Sequence, residues 1–300
     1  MVAVTRLVAA LIGIGRVHPA DVLHTLQRIG LRTVVLATVA ILAQSLIVMT
    51  RLWFLFPSPR PSWIRVAYGF SLGQVVNHLL PVRTGDLVKG MLISGPDSGR
   101  SKAQTVGVMI ADNLVDLGAL MLLVVCVGLG DVVPLGHGLW ARLGLVGVVA
   151  VPLAIGFLLV RRHARVQRVL DGLQVLRDPA KLVGGLTLSM GNWTAEFLAL
   201  HWLTADVGCH LGFADAIRVL FLFNLAIVFP ISVANVGSFE IPIAIGLRAA
   251  GLAFGSGLAI GTAYHGLQIL GIVLLAVAML IVRRGWPTVL QIRRRSGSRS

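Results

Sequence analysis

The chain has 300 residues, of which 56% are hydrophobic and only 13% charged, with a mean hydropathy of +0.88. A water-soluble fold of this length has no place to bury so much apolar surface, so the composition excludes a soluble globular domain and points to an integral membrane protein. The formal charge of +14 does not indicate nucleic-acid binding, because the basic residues lie in loops and tails without an aromatic-rich basic platform.

In chain order, Val2 to Gly15 is apolar but shorter than a membrane span, contains Arg6, and lacks the small-residue cleavage site of a signal peptide. It reads as an incomplete first span or as the product of a start codon set too far downstream. A bilayer core needs about 20 successive apolar residues per helix, and five blocks meet that need: Thr33 to Phe56, Ala103 to Gly128, Leu143 to Val160, Leu182 to Thr204 and Leu258 to Val282. Two cysteines, Cys126 and Cys209, are too few for a disulfide framework or a thiolate metal site. No cofactor and no metal is expected.

Basic residues concentrate in the loop 161–181 (Arg161, Arg162, Arg165, Arg168, Arg177, Lys181) and in the tail 283–300, where Arg283, Arg284 and Arg293 to Arg295 stand. By the positive-inside rule both are cytoplasmic, placing the protein as a multi-pass chain in the cell's inner membrane with a cytoplasmic C-terminus. Within that loop Val166, Val169, Leu170, Leu173 and Leu176 recur at helical spacing opposite the charges, the pattern of a helix on the membrane surface facing anionic headgroups.

An offset of 153 residues lays Ile64-Arg65-Val66 on Ile217-Arg218-Val219, Phe70 on Phe223 and Leu114 on Leu267. Each copy holds a polar stretch broken by Pro and Gly, 77–86 in the first and 230–240 in the second. The expected fold is an all-α polytopic membrane protein with inverted repeats and two re-entrant helical hairpins. A single domain over 1–300 would hold repeat one at about 33–128 with hairpin 64–94, the linking span 143–160, the surface helix 161–181, repeat two at about 182–282 with hairpin 217–253, and the basic tail. The charge rule sends the two hairpins in from opposite faces, although it places Arg16, Arg28 and Arg32 outside.

Broken backbone at membrane depth is tolerated only inside protein or along a cavity, so these stretches are the first place to seek a substrate path. Asn77, Pro81, Arg83, Gly85, Asp86 and Lys89 mark the first; Arg83 offers a bidentate fork for phosphate, or else pairs with Asp86. Asn235, Gly237 and Glu240 mark the second, with Gly237 free to take a positive φ. Inside the spans, Asp112 and Asp116 share one helix face, as do Asn192 and Glu196, and such charges are costly enough in a membrane to suggest function. The alternative for the aspartates is a solvated position near the cytoplasmic interface. His201 and His265 stand at no metal-ligand spacing and read as packing residues. Gly69-Phe70-Ser71-Leu72-Gly73 matches the hydrolase elbow but lacks its strand-turn-helix setting.

The pattern Asn77-x-x-x-Pro81-x-Arg83-x-Gly85-Asp86-x-x-Lys89, followed by Phe229-Pro230-Ile231-Ser232 and Asn235-Val236-Gly237-Ser238-Phe239-Glu240, resembles the flippase-like membrane domain of the lysylphosphatidylglycerol synthase family, including its stand-alone members. Glutamate and arginine are usual in that family where Asp86 and Lys89 stand, and an arginine where Asn113 stands. The aminoacyl-transferring domain of the long members has no counterpart in the sequence. The resemblance implies movement of an anionic phospholipid or lipid-linked glycan between leaflets, rather than catalysis. A membrane-embedded group-transfer enzyme and a non-catalytic scaffold of a lipid- or glycan-synthesis complex, as a homo-oligomer or with partner enzymes, are the competing expectations.

Overall fold

The computed structural model describes residues 19–79, 84–94, 101–127, 164–227, 237 and 239–296, of which 164–166, 227 and 284–296 are described by backbone alone. Among the described residues the chain is helical: α1 Pro19–Gln27, α2 Leu31–Leu55, α3 Trp63–Leu79, α4 Gly85–Ile93, α5 Lys102–Val127, α6 Ala164–Leu173, α7 Pro179–Ala205, α8 Phe213–Ile227, α9 Glu240–Ala249 and α10 Phe254–Ser296. The N-terminal block 2–15, the span 143–160 and the candidate residues Pro81, Arg83 and Asn235 lie outside the described residues.

Among the described residues, three helices are long and apolar enough to cross a membrane: Leu31–Leu55, Lys102–Val127 and the Phe254–Arg283 part of α10. Each presents large apolar side chains that no other element covers, among them Val39 on α2, Leu117 and Val125 on α5, and Val273 and Val277 on α10. In water such faces would be a liability, whereas against lipid they are the expected outer surface. The expected span at 182–204 falls on α7, whose 27 residues are ample in length but whose inner face carries Ser189, Asn192 and Glu196.

Antiparallel α2 and α7 form the centre of the bundle and are pinned at both ends. At one end the Lys181 ammonium donates to the carbonyls of Leu55 (3.3 Å) and Phe56 (2.9 Å), satisfying acceptors that the end of α2 leaves open. At the other, the amide of Gly30 donates to Asp206 Oδ2 at 2.8 Å. Asp178 caps α7 by accepting from the Ala180 and Lys181 amides, with Pro179 at the first helical position. One apolar cluster, including Ile41, Leu120, Leu200, Leu203, Phe223 and Tyr264, fills the Asp206 end, and a second, including Met49, Leu52, Phe70, Val108 and Leu275, fills the Lys181 end.

α3 and α4 make a tight antiparallel pair. A Cβ on Gly73 would lie 2.7 Å from the Gly85 carbonyl oxygen, and one on Gly69 would lie 2.9 Å from Ile93, so glycine is what lets the helices touch. The two glycines of the elbow-like pattern are therefore packing residues inside α3. α8 and α9 pair likewise, with Gly246 against Val219 and Phe223 edge-on to Phe239 at 4.6 Å. Gly257 and Gly261 then let α10 approach α9 at Ala244 and Glu240. At 17, 9, 15 and 10 residues, all four paired helices are shorter than a full span.

The expected helix is present as α6, with Val169, Leu170, Leu173 and Leu176 of its apolar stripe half-buried and Leu173 and Leu176 packed against the second apolar cluster. α6 packs on α5 so closely that a Cβ on Gly172 would lie 2.7 Å from Gly107 Cα, and Val175 just beyond it is buried. Helical periodicity marks an apolar face without saying whether lipid or another helix will cover it.

Candidate functional site

α5 places Asp112 and Asp116 one turn apart on the same face, and that face meets α2 at Arg51. The Arg51 Nε donates to Asp112 Oδ1 at 2.8 Å and Nη2 to Asp112 Oδ2 at 3.4 Å, while Nη1 serves both Asp116 and, at 2.8 Å, the Ser189 hydroxyl of α7. Arg51 is 2% exposed and Asp112 3%, which rules out the solvated interfacial position for the latter. Only a guanidinium has enough donors in a fixed fork to bind three helices at once. Arg51 escaped sequence reasoning because it is a single charge in an otherwise apolar span. Two carboxylates on one membrane-helix face already imply a buried cation, and that signal could have found it.

Further along α7, Glu196 faces α2 and α10. Its Oε1 accepts from Gln44 Nε2 at 2.7 Å and its Oε2 from the Tyr264 hydroxyl at 3.4 Å, and Gln268 Nε2 in turn donates to the Tyr264 oxygen at 2.9 Å. Every direct partner of Glu196 is neutral. Asn192, on the same face one turn earlier, is 2% exposed.

The next residue on α10, His265, belongs to a third group, where the end of α3 meets the start of α9. Glu240 Oε1 is 2.8 Å from His265 Nδ1, and Glu240 Oε2 accepts from the Gly237 amide at 2.7 Å. Gly237 has φ +86°, a conformation that glycine adopts without cost. The His265 ring stacks on Phe239 at 4.2 Å between centroids, and His78 of α3 stands 6.0 Å from it. The His78 Nδ1 is 2.9 Å from the Gln74 carbonyl, an arrangement that makes Nδ1 the protonated nitrogen in the neutral ring.

Beside this junction Asn77 uses its Oδ1 to accept from the Gly85 amide at 2.8 Å, joining α3 to the start of α4 across the break between them. Lys89 pairs with Asp86 at 3.0 Å and lies 5.4 Å from the centre of the Phe70 ring. The ammonium is buried, whereas the Asp86 side chain is about half exposed.

The candidate residues thus fall into three linked groups. Asp112 and Asp116 gather round Arg51, Glu196 meets Gln44 and Tyr264, and Gly237 and Glu240 meet His265. Asn77, Gly85, Asp86 and Lys89 stay within the α3–α4 pair. Sequence reasoning missed Arg51 and Gln44 as partners and gave no role to His78 or Phe239. Adjacent Tyr264 and His265 carry the second and third groups on the same helix, α10.

The family model for the lysylphosphatidylglycerol synthase TM region matches residues 1–276. No curated protein and no solved structure matches the chain.

Proposed function

The chain belongs to the family of lysylphosphatidylglycerol synthase TM regions, a membrane-protein family linked to lipid metabolism or transport, and from that premise we propose that it moves a lipid with an anionic headgroup, a phospholipid or a lipid-linked glycan, between the two leaflets. One observation carries the reading. The α3–α4 pair is entered and left at the Lys181 end of the bundle and the α8–α9 pair at the Asp206 end, and His78 of α3, Phe239 at the start of α9 and His265 of α10 come together between them.

The plan is that of an inverted repeat with two re-entrant hairpins. The order α2–α5 recurs as α7–α10 at nearly the offset found in the sequence, and contacts exchange between the copies: α3 packs on α10 as α8 packs on α5, and α5 packs on α7 as α10 packs on α2. The α3–α4 hairpin enters from the end that holds Arg60, Arg65, Lys102, Lys181 and Arg283, and this basic end faces the cytoplasm and its anionic headgroups. The α8–α9 hairpin enters from the end that holds Asp206 and Asp215. The C-terminus is then cytoplasmic and the membrane is the cell's inner one.

Translocation needs a polar lane for the headgroup while the acyl chains stay in lipid. Asn77, Arg83, Lys89, Asn235 and Glu240 line that lane, with Arg83 and Lys89 receiving the phosphate and His265 and His78 at its narrowest point. Gly85 lets the start of α4 close on α3, Gly237 takes the turn before α9 at φ +86°, and Asp86 keeps Lys89 in place until a phosphate displaces it. The test is reconstitution of the full chain in proteoliposomes carrying a labelled anionic phospholipid or polyprenyl-linked glycan in one leaflet. Faster loss of leaflet asymmetry than in protein-free vesicles is expected. Folded protein that leaves the asymmetry of both lipid classes untouched would sink the reading.

A further inference from the structure

Among the described residues, the interior of α2, α5 and α7 holds one cation against three carboxylates. Asp112 and Asp116 share Arg51, and Glu196 keeps only the neutral donors of Gln44 and Tyr264. The Asp116 carboxylate is also close enough to repel it. A carboxylate buried beside another, with the nearest guanidinium already engaged, is costly unless a further positive charge accompanies it.

Two oxygens indicate where that charge sits. The Asn192 Oδ1, on the Glu196 face of α7, is buried and has no hydrogen-bond partner among the described residues, and the same is true of the Gln44 Oε1. Buried carbonyl oxygens without donors are rare. Carboxylate and carbonyl oxygens from facing helices are the ligands that hard cations take.

We infer that Glu196, Gln44 and Asn192 hold a monovalent cation, a proton or a sodium ion, between α2 and α7. The groups that face it are Arg51 from α2, Asp112 and Asp116 from α5, and Tyr264 from α10. As the coupling ion it would deepen the transporter reading, and it rests on that reading for its role alone. Binding at Glu196 is a property of the folded chain whether or not lipid moves.

The test is thermal unfolding of the full chain in detergent, first with sodium chloride exchanged for choline chloride at fixed ionic strength and pH, then across pH without sodium. Ligands that bind only the folded state raise its melting temperature. A sodium site gives a rise of several degrees with sodium and none with choline. A proton site gives no sodium response, a melting temperature that falls as pH rises, and an infrared band of a protonated carboxyl. In either case the response disappears in Glu196→Gln and shrinks in Asn192→Leu. Should Glu196→Gln fail to fold, Gln44→Leu takes its place, keeping the carboxylate but removing one oxygen. A wild-type chain with neither response, or a variant whose response equals that of the wild type, overturns the inference. Lipid asymmetry measured in vesicles under a gradient of the same ion separates the two readings: an ion response without lipid movement keeps the site and removes the transporter.

Discussion

The α3–α4 and α8–α9 pairs are both short, closely packed helix pairs and differ in what holds them together. The first is closed by glycine contacts and by the Asn77–Gly85 hydrogen bond, with the Lys89–Asp86 ion pair opening to the surface. The second is held by aromatic and aliphatic packing and directs the carboxylate of Glu240 at His265. The contrast continues in the long helices that follow. At the repeat offset Asp112 of α5 corresponds to His265 of α10; one is bound to Arg51 of a neighbouring span, the other to Glu240 of a hairpin. A charge cluster shared by three helices thus stands on one side and a carboxylate–imidazole pair between two helices on the other; under the proposed function the first holds the bundle together and the second meets the substrate.

The largest effect is expected from Arg51→Met, which strands two buried carboxylates. Removing one partner of a buried ion pair costs about 3–5 kcal/mol, read as loss of folded protein in detergent or as a large fall in melting temperature. Adding Asp112→Asn and Asp116→Asn should restore most of the loss, and a failure to do so would break the account of Arg51 as a counter-ion. Gly85→Ala comes next. Its Cβ would collide with the Gly73 carbonyl and the Asn77 amide, for about 1–3 kcal/mol, whereas Gly118→Ala has open space and should be neutral or slightly stabilising. Equal melting temperatures for the two would deny that α3 and α4 are closed by glycine contact.

His265→Ala sharpens the other side of the comparison. Loss of a hydrogen bond to a charged group is worth about 1.5–3 kcal/mol, so lipid translocation should fall about tenfold or more while the protein still folds and inserts. Equal translocation by His265→Ala and wild type would remove that pair from the mechanism. The smallest effect on stability belongs to Lys89→Gln, under about 1 kcal/mol because Asp86 is half exposed and solvated. Under the proposed function this variant nonetheless slows translocation of lipids with a phosphate headgroup, and a neutral result would leave Lys89 as an ordinary surface-edge pair.

The sequence by itself determined the class of protein, because an apolar run of span length has few stable options other than a membrane helix. Among the described residues, the three longest apolar helices fall at three of the expected spans. The motif residues from Asn77 to Lys89, with the later Pro, Gly and Glu positions, also pointed to the family. Only the tertiary structure decided which charges meet. Arg51 and Asp112 are 61 residues apart and Gln44 and Glu196 are 152 apart, and nothing in the local sequence orients α2 toward α5 or α7. The same reason explains α6, whose amphipathic stripe was legible while the packing of Leu173 and Leu176 on the bundle was not, because an apolar face is equally satisfied by lipid and by a neighbouring helix.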